Sequence, residues 1–153
     1  MRLALYQPDI AANTGTILRL AACFSVGVDV IEPCGFVWSE PKLRRAGMDY
    51  LDRVDLARHD SWERFRAAPR PGRLVLLSTR AAVRLPDFRF APDDTLLLGR
   101  ESAGVPDDVR DAADAGVRIP MAAGERSLNV ALAASLVLGE ALRQLDAWPG
   151  DAT

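Results

Sequence analysis

Two cysteines, one histidine and one lysine are all that the 153 residues contain of three residue types on which much site chemistry depends. Cys23 and Cys34 form no CxxC pair and no metal-ligand spacing, which argues against a disulfide framework and for a reduced, cytosolic protein. His59 stands in "LARHDSW" among charged neighbours with no second candidate ligand. A Ser-His-Asp triad would have to run through it, so hydrolysis by a triad is disfavoured. Zinc and calcium ligand spacings are missing as well. No apolar run approaches the roughly 18 residues needed to span a bilayer. The run in "MRLALYQPD" is too short for a signal peptide, so a soluble, cytoplasmic protein is expected. The GxGxxG fingerprint of dinucleotide binding is lacking, which weighs against hydride transfer. Charge excess is lacking too: the formal net charge is −2 and the pI about 5.4. That balance excludes a polybasic protein but leaves room for a local patch that grips phosphate.

What is present is a foldable chain. Hydrophobic residues make up 49% and charged residues of both signs 26%, which supports a core and argues against disorder. Short apolar runs recur as "RLALYQ", "VDVIEP", "RLVLLST", "DTLLLG" and "VRIP", each of strand length and each closed by Gly, Pro or a polar turn. Helical stretches alternate with them. "NTGTILRLAACFSVG" has Asn13 or Thr14 as cap and Gly27 as stop, and "SEPKLRRAG" reads as a short helix after Ser39. "DSWERFRAA" begins at Asp60 or Ser61, and "PDDVRDAADAG" has an acidic first turn with Gly116 after its last. A long apolar helix, "RSLNVALAASLVLGE", follows Gly124. Segments 69–73 and 84–94 read as loops. The pattern predicts one α/β domain over 1–153, a parallel sheet with helices on both faces, and a loose tail at 146–153.

In open parallel sheets ligands bind beyond the carboxyl ends of the strands. Three strands here end in unusual loops: "LLSTRAAV", "LLLGRESAGVP" and "RIPMAAGERSLN". Gly99 and Gly104 in the second let backbone approach a ligand closely. Glu101 between them reads equally as a solvated turn residue. In the third, Arg126 and Ser127 stand at the expected helix start, where free N–H groups attract anions. Capping accounts for Ser127 as well as ligand contact does. Asn129 is harder to dismiss, since asparagine is a poor helix former and needs a partner when buried. Arg19 interrupts the apolar strip "ILRLAACF", either as a snorkelling surface residue or as a partly buried cation that needs an anion. The stretch "PKLRRAGMDY" carries Lys42, Arg44 and Arg45 beside Tyr50, with Phe36 and Trp38 just before it. Basic and aromatic groups together suit RNA, but taken alone the stretch reads better as a solvated helix face beside a core aromatic pair. Asp107, Asp108, Asp111 and Asp114 read as a solvated acidic face.

The order "PDIAANTGTILR", "IEPCGFVWSEPKLRRAGMDY", "LLLGRESAGVP" and "IPMAAGERSLNVALAASLVLGEALRQL" resembles the trefoil-knotted SPOUT RNA 2′-O-methyltransferases. Within them it is most similar to the small tRNA (cytidine/uridine-34) 2′-O-methyltransferases, over residues 2 to 145. The resemblance implies a deep C-terminal trefoil knot, which is one of the few exceptions to unknotted connections. It also implies S-adenosylmethionine held in the knot at Leu77, Gly99, Ile119 and Ser127, and a homodimer acting on the tRNA anticodon stem-loop. By the same resemblance Arg19 activates the ribose hydroxyl, Asn13, Glu101 and Asn129 position it and the loops, and Arg126 grips RNA with Lys42, Arg44 and Arg45. The chain departs from the family pattern at Ala11, Thr16, Arg100, Ala131 and Gly139, the last replacing a usual aromatic. The alternatives left open are the same chemistry on another RNA position and a non-catalytic RNA-binding module.

Overall fold

A computed structural model describes residues 1–39 and 48–150. Seven strands form one parallel sheet: β1 (Arg2–Tyr6), β2 (Gly27–Ile31), β3 (Leu56–His59), β4 (Leu74–Leu77), β5 (Val83–Arg84), β6 (Thr95–Leu98) and β7 (Ala115–Arg118). Their order across the sheet is β3-β2-β1-β6-β4-β7-β5. Strands β1, β2, β4 and β6 are apolar almost throughout because both faces are covered. Leu3, Leu5, Val28, Val75, Leu96 and Leu98 pack beneath two long helices, α1 (Ala11–Cys23) and α4 (Val130–Leu145). Ala4, Tyr6, Leu74, Leu76 and Leu97 face the other way, against Phe65 of α2 (Trp62–Ala67) and Val109 of α3 (Asp107–Asp111). Burying each large apolar side chain contributes about 2 kcal/mol, so a sheet covered twice is the main source of stability.

The two strands absent from the sequence reading, β3 and β5, are the two edges of the sheet. Edge strands bury less, so "LARH" and "VR" carry little apolar signal. The single histidine is structural: His59 Nε2 lies 2.8 Å from Asp29 Oδ1, and Asp29 accepts from Arg2 Nε at 2.7 Å. That buried carboxylate ties together β1, β2 and β3.

Several helix boundaries differ from the sequence reading. Helix α1 starts at Ala11, ahead of Asn13 and Thr14, with Ile10 at its N-cap and no side-chain cap. It closes at Cys23, and Gly27 is the first residue of β2 and not a helix stop. Helix α3 ends at Asp111, and Gly116 lies inside β7. Ser61 does cap α2, accepting the Arg64 N–H at 3.3 Å. Helix α4 begins at Val130, so Arg126 and Ser127 lie in the coil before it and not in its first turn. Asn129 is the cap that decides this start: its Oδ1 accepts the N–H groups of Ala131 and Leu132 at 2.9 and 3.3 Å. Trp148, expected in a loose tail, packs edge-on against Phe24 with ring centroids 5.3 Å apart. The helix read at "SEPKLRRAG" lies outside the described residues from position 40 onward. Among the described residues no helix is long and apolar enough to cross a membrane.

Candidate functional site

Strand order builds the site. Strands β6, β4 and β7 are neighbours, so the loops that leave their carboxyl ends meet. Together with the start of α1 and the approach to α4 they enclose a cavity of about 560 Å³. Its floor is apolar, from Leu77, Leu98, Val117 and Ile119; its rim carries Ser78, Thr79, Arg80, Ser127 and backbone of the glycine loop. That loop, residues 99–104, is closed on itself by reciprocal hydrogen bonds between Arg100 and Gly104, both 2.9 Å. A Cβ on Gly99 would sit 2.6 Å from the Gly104 carbonyl carbon, and Gly104 has φ +66°. Side chains at either place would open the loop or strain it. Arg100, the departure in this loop, lays its guanidinium over the Tyr6 ring at 5.5 Å.

A chain of polar side chains crosses the mouth of the cavity. Asn13 Nδ2 donates to Glu101 Oε1 at 3.1 Å, and Asn129 Nδ2 donates to Asn13 Oδ1 at 3.0 Å. Three residues far apart in sequence thus join α1, the glycine loop and the cap of α4. Asn129 serves twice, because its amide nitrogen bonds Asn13 while its oxygen caps the helix. The second Glu101 oxygen accepts the Asp9 N–H at 2.8 Å. With both oxygens engaged, Glu101 ties the loop to α1.

Of the residues singled out in the sequence, Leu77, Gly99, Ile119, Ser127, Asn13, Glu101 and Asn129 all line this cavity. Arg19 does not. It lies further along α1, with its guanidinium 5.2 Å from the centre of the Tyr50 ring. Arg53 approaches the same ring at 4.4 Å, from a 3-10 turn over Met48–Arg53. Among the described residues no carboxylate pairs with Arg19, and no hydrogen bond joins it to Asn13, Glu101 or Asn129. Arg126 is exposed beside the cavity and does not line it. Lys42, Arg44 and Arg45 lie outside the described residues.

Asp9 and Ser102 were not picked out from the sequence as site residues. A carboxylate just past a strand end and a serine directly after Glu101 were the available signals, and neither names its partner. Neither cysteine offers a nucleophile to the site. Cys34 is half-buried, and burial together with nearby Glu32 pushes its thiol up to about 11. Among the described residues no group of three His, Cys, Asp or Glu is arranged to hold a metal ion.

Comparison with known proteins bears on this geometry. The SpoU rRNA Methylase family matches residues 1–139. A tRNA (cytidine(34)-2'-O)-methyltransferase from Beijerinckia indica is 60% identical over 147 residues, spanning 95% of this chain and 92% of its own. A solved structure concerned with the 2-OH methylation of C/U34 on tRNA superposes with a TM-score of 0.89 at 43% identity, over 95% of each chain. The SpoU methyltransferase AviRb from Streptomyces viridochromogenes, in complex with the cofactor AdoMet, gives a TM-score of 0.83 at 32% identity. That match covers 97% of this chain and 59% of the longer one.

Proposed function

This chain belongs to the SpoU rRNA methylase family, and from that membership we propose that it methylates the ribose 2′-hydroxyl of nucleotide 34 in tRNA with S-adenosylmethionine. One observation carries the reading: the three loops whose motifs point to this chemistry enclose one cavity, in a chain similar from end to end to a tRNA (cytidine(34)-2'-O)-methyltransferase.

The cavity suits the cofactor. Its volume of about 560 Å³ falls within the range of small-ligand sites, roughly 300–1,000 Å³. Leu77, Ile119 and Val117 would give apolar contact to a purine, and the backbone at Gly99, which lines the cavity, would read its edge. Ser127 would hold the polar end. Once bound, S-adenosylmethionine supplies a methyl group already activated by its sulfonium charge. The chain's own task is then orientation and charge placement. Arg19 presents donors and no acceptor, so it serves by holding the ribose hydroxyl or its flanking phosphate in line. Asn13, Glu101 and Asn129 keep the loops in register around the reacting atoms. Arg126 and the segment with Lys42, Arg44 and Arg45 would track the phosphates of the anticodon stem-loop.

The reading extends to the assembly. We propose that the chain is one domain, that its C-terminal part threads a trefoil knot, and that two copies pair. Pairing is supported by exposed leucines: Leu132 and Leu136, one turn apart on α4, are 59% and 51% exposed, beside exposed Leu128 and Ile10. Arg19 sits outside its own chain's cavity, which fits a site finished by a second copy. A tRNA-modifying enzyme of this kind works in the cytoplasm.

The test is direct. Purified chain, S-adenosylmethionine and tRNA are incubated, and the RNA is digested and read by mass spectrometry. A 2′-O-methyl group at nucleotide 34 is expected. Methylation elsewhere would redirect the substrate assignment, and a chain that binds no S-adenosylmethionine in calorimetry would favour a non-catalytic RNA-binding module.

A further inference from the structure

Asp9 occupies a junction that the chemistry above leaves unused. Its backbone N–H donates to Glu101 Oε2 at 2.8 Å, while its own Oδ2 accepts from the next residue of that loop, Ser102, twice. The Ser102 N–H lies at 3.0 Å and the Ser102 hydroxyl at 2.5 Å. Donor and acceptor thus run both ways between one residue of the β1–α1 turn and two residues of the glycine loop. The carboxyl of Asp9 is held below its ordinary value by these Ser102 bonds. A reciprocal pair of this kind resists both sliding and rotation, as a single hydrogen bond does not.

The other side of the same turn is wedged against a second loop. Gly35 donates its N–H to the Pro8 carbonyl at 2.9 Å. A Cβ at Gly35 would stand 2.9 Å from Asp9 Cα and 3.3 Å from the Asp9 carbonyl oxygen. Backbone at that distance cannot yield as a side-chain tip can. Gly35 leads directly to Phe36 and Trp38, whose rings stack at 6.2 Å, and Arg58 covers Trp38 at 4.6 Å. Neither Gly35 nor Asp9 lines the cofactor cavity. The 8–9 turn therefore lies between the aromatic loop and the glycine loop, in rigid contact with both.

We propose that Asp9 is a positioning residue: it fixes the glycine loop for cofactor binding and transmits to it the placement of the loop that carries Phe36 and Trp38. The proposal rests on the reading of the cavity as an S-adenosylmethionine site. It makes a prediction that contact with cofactor does not, since Gly35 lies against Pro8 and Asp9 and does not itself line the cavity.

The experiment is calorimetric titration of S-adenosylmethionine into the full chain and five variants, with thermal unfolding run in parallel. Asp9→Ala is expected to raise Kd about tenfold, the effect of losing one or two hydrogen bonds to a charged group. Ser102→Ala should raise it less, and Asp9→Ala with Ser102→Ala no further than Asp9→Ala alone. Asp9→Asn, which keeps an acceptor oxygen, should restore most of the affinity. Gly35→Ala should weaken binding as Asp9→Ala does. A general loss of stability would move the melting temperature without the Ser102 coupling or the Asn rescue. The proposal is overturned if Asp9→Ala and Gly35→Ala bind within about twofold of the parent, or if the Asp9 and Ser102 effects simply add. If Asp9→Ala fails to fold, Asp9→Asn, Ser102→Ala and Gly35→Ala decide by the same criteria. A parent chain that binds no S-adenosylmethionine would remove the cofactor reading itself, and this proposal with it.

Discussion

In the proposed reaction Arg19 has the role that handles the ribose hydroxyl, and its setting decides how a substitution there should read out. Its guanidinium is placed by the Tyr50 ring, away from the apolar floor of the cavity. Arg19→Ala should therefore cut methyl transfer by about 100-fold or more while the Kd for S-adenosylmethionine stays near the parent value. Single-turnover kinetics beside calorimetry checks this, and lost affinity with intact chemistry would contradict the role. Gly139 makes the opposite kind of prediction. A Cβ there would meet only Trp148 Cη2, at 3.8 Å, an ordinary contact. Gly139→Ala should thus stabilise the chain by about 0.5–1 kcal/mol through helix propensity, seen as a higher melting temperature. The sequence marks Gly139 as a weak point in a helix and as a departure from the family pattern. That Trp148 stands over the gap follows from the return of the chain past Asp146, which adopts φ 51° and turns it back. No spacing rule reports such a contact across nine positions.

At the scale of elements, α4 joins the site to the core through its two ends. Asn129→Ala removes a cap that accepts two N–H bonds and the bridge to Asn13. Loss of about 1 kcal/mol of stability is expected in chemical denaturation. Asn129→Asp keeps the cap and gives up only the donor to Asn13, so it should recover the stability and not the activity. The far end of α4 is tied to the 88–90 segment by Gln144, and within the helix Glu140 accepts from Arg143 Nε and Nη2 and from Gln144, all at 2.8 or 2.9 Å. The Arg143 and Gln144 bonds lower the Glu140 carboxyl from 4.5 to about 2. A depressed folded value means stability that is present above the unfolded value of about 4.5 and is lost as pH falls toward about 2. Exposure of Arg143 to solvent keeps the size small. Stability of Glu140→Gln should accordingly vary less than the parent's between these pH values, as circular dichroism melts would show. The central strands were legible because they are buried on both faces and read as unbroken apolar runs. Edge strands β3 and β5 were not, since β3 is only partly buried and both residues of β5 are exposed. The start of α4 was misplaced because Ser127 and Asn129 are both good caps, and it is Asn129 that accepts the N–H groups of Ala131 and Leu132.

For the whole molecule, the exposed leucines of α4 predict the assembly. Leu132→Glu with Leu136→Glu should convert a dimer to a monomer in light scattering, leaving the fold intact because both side chains already face outward. A parent chain that is monomeric at micromolar concentration would end that proposal. Residue types and their order determined the α/β class, the parallel sheet, the apolar faces and the three loops at which chemistry is possible, for these depend on local periodicity and on turn residues. They also determined the family pattern, because its motifs are runs of neighbouring residues. Tertiary structure alone decided that Glu101 would bond Asn13, that Asn13 would bond Asn129, and that Asp9 would lie between two loops. Each of these bonds spans about 90 positions or more, and its existence follows from which strands became neighbours in the sheet. Strand order is settled by packing the whole chain at once, a sum over contacts that no local stretch of residues contains.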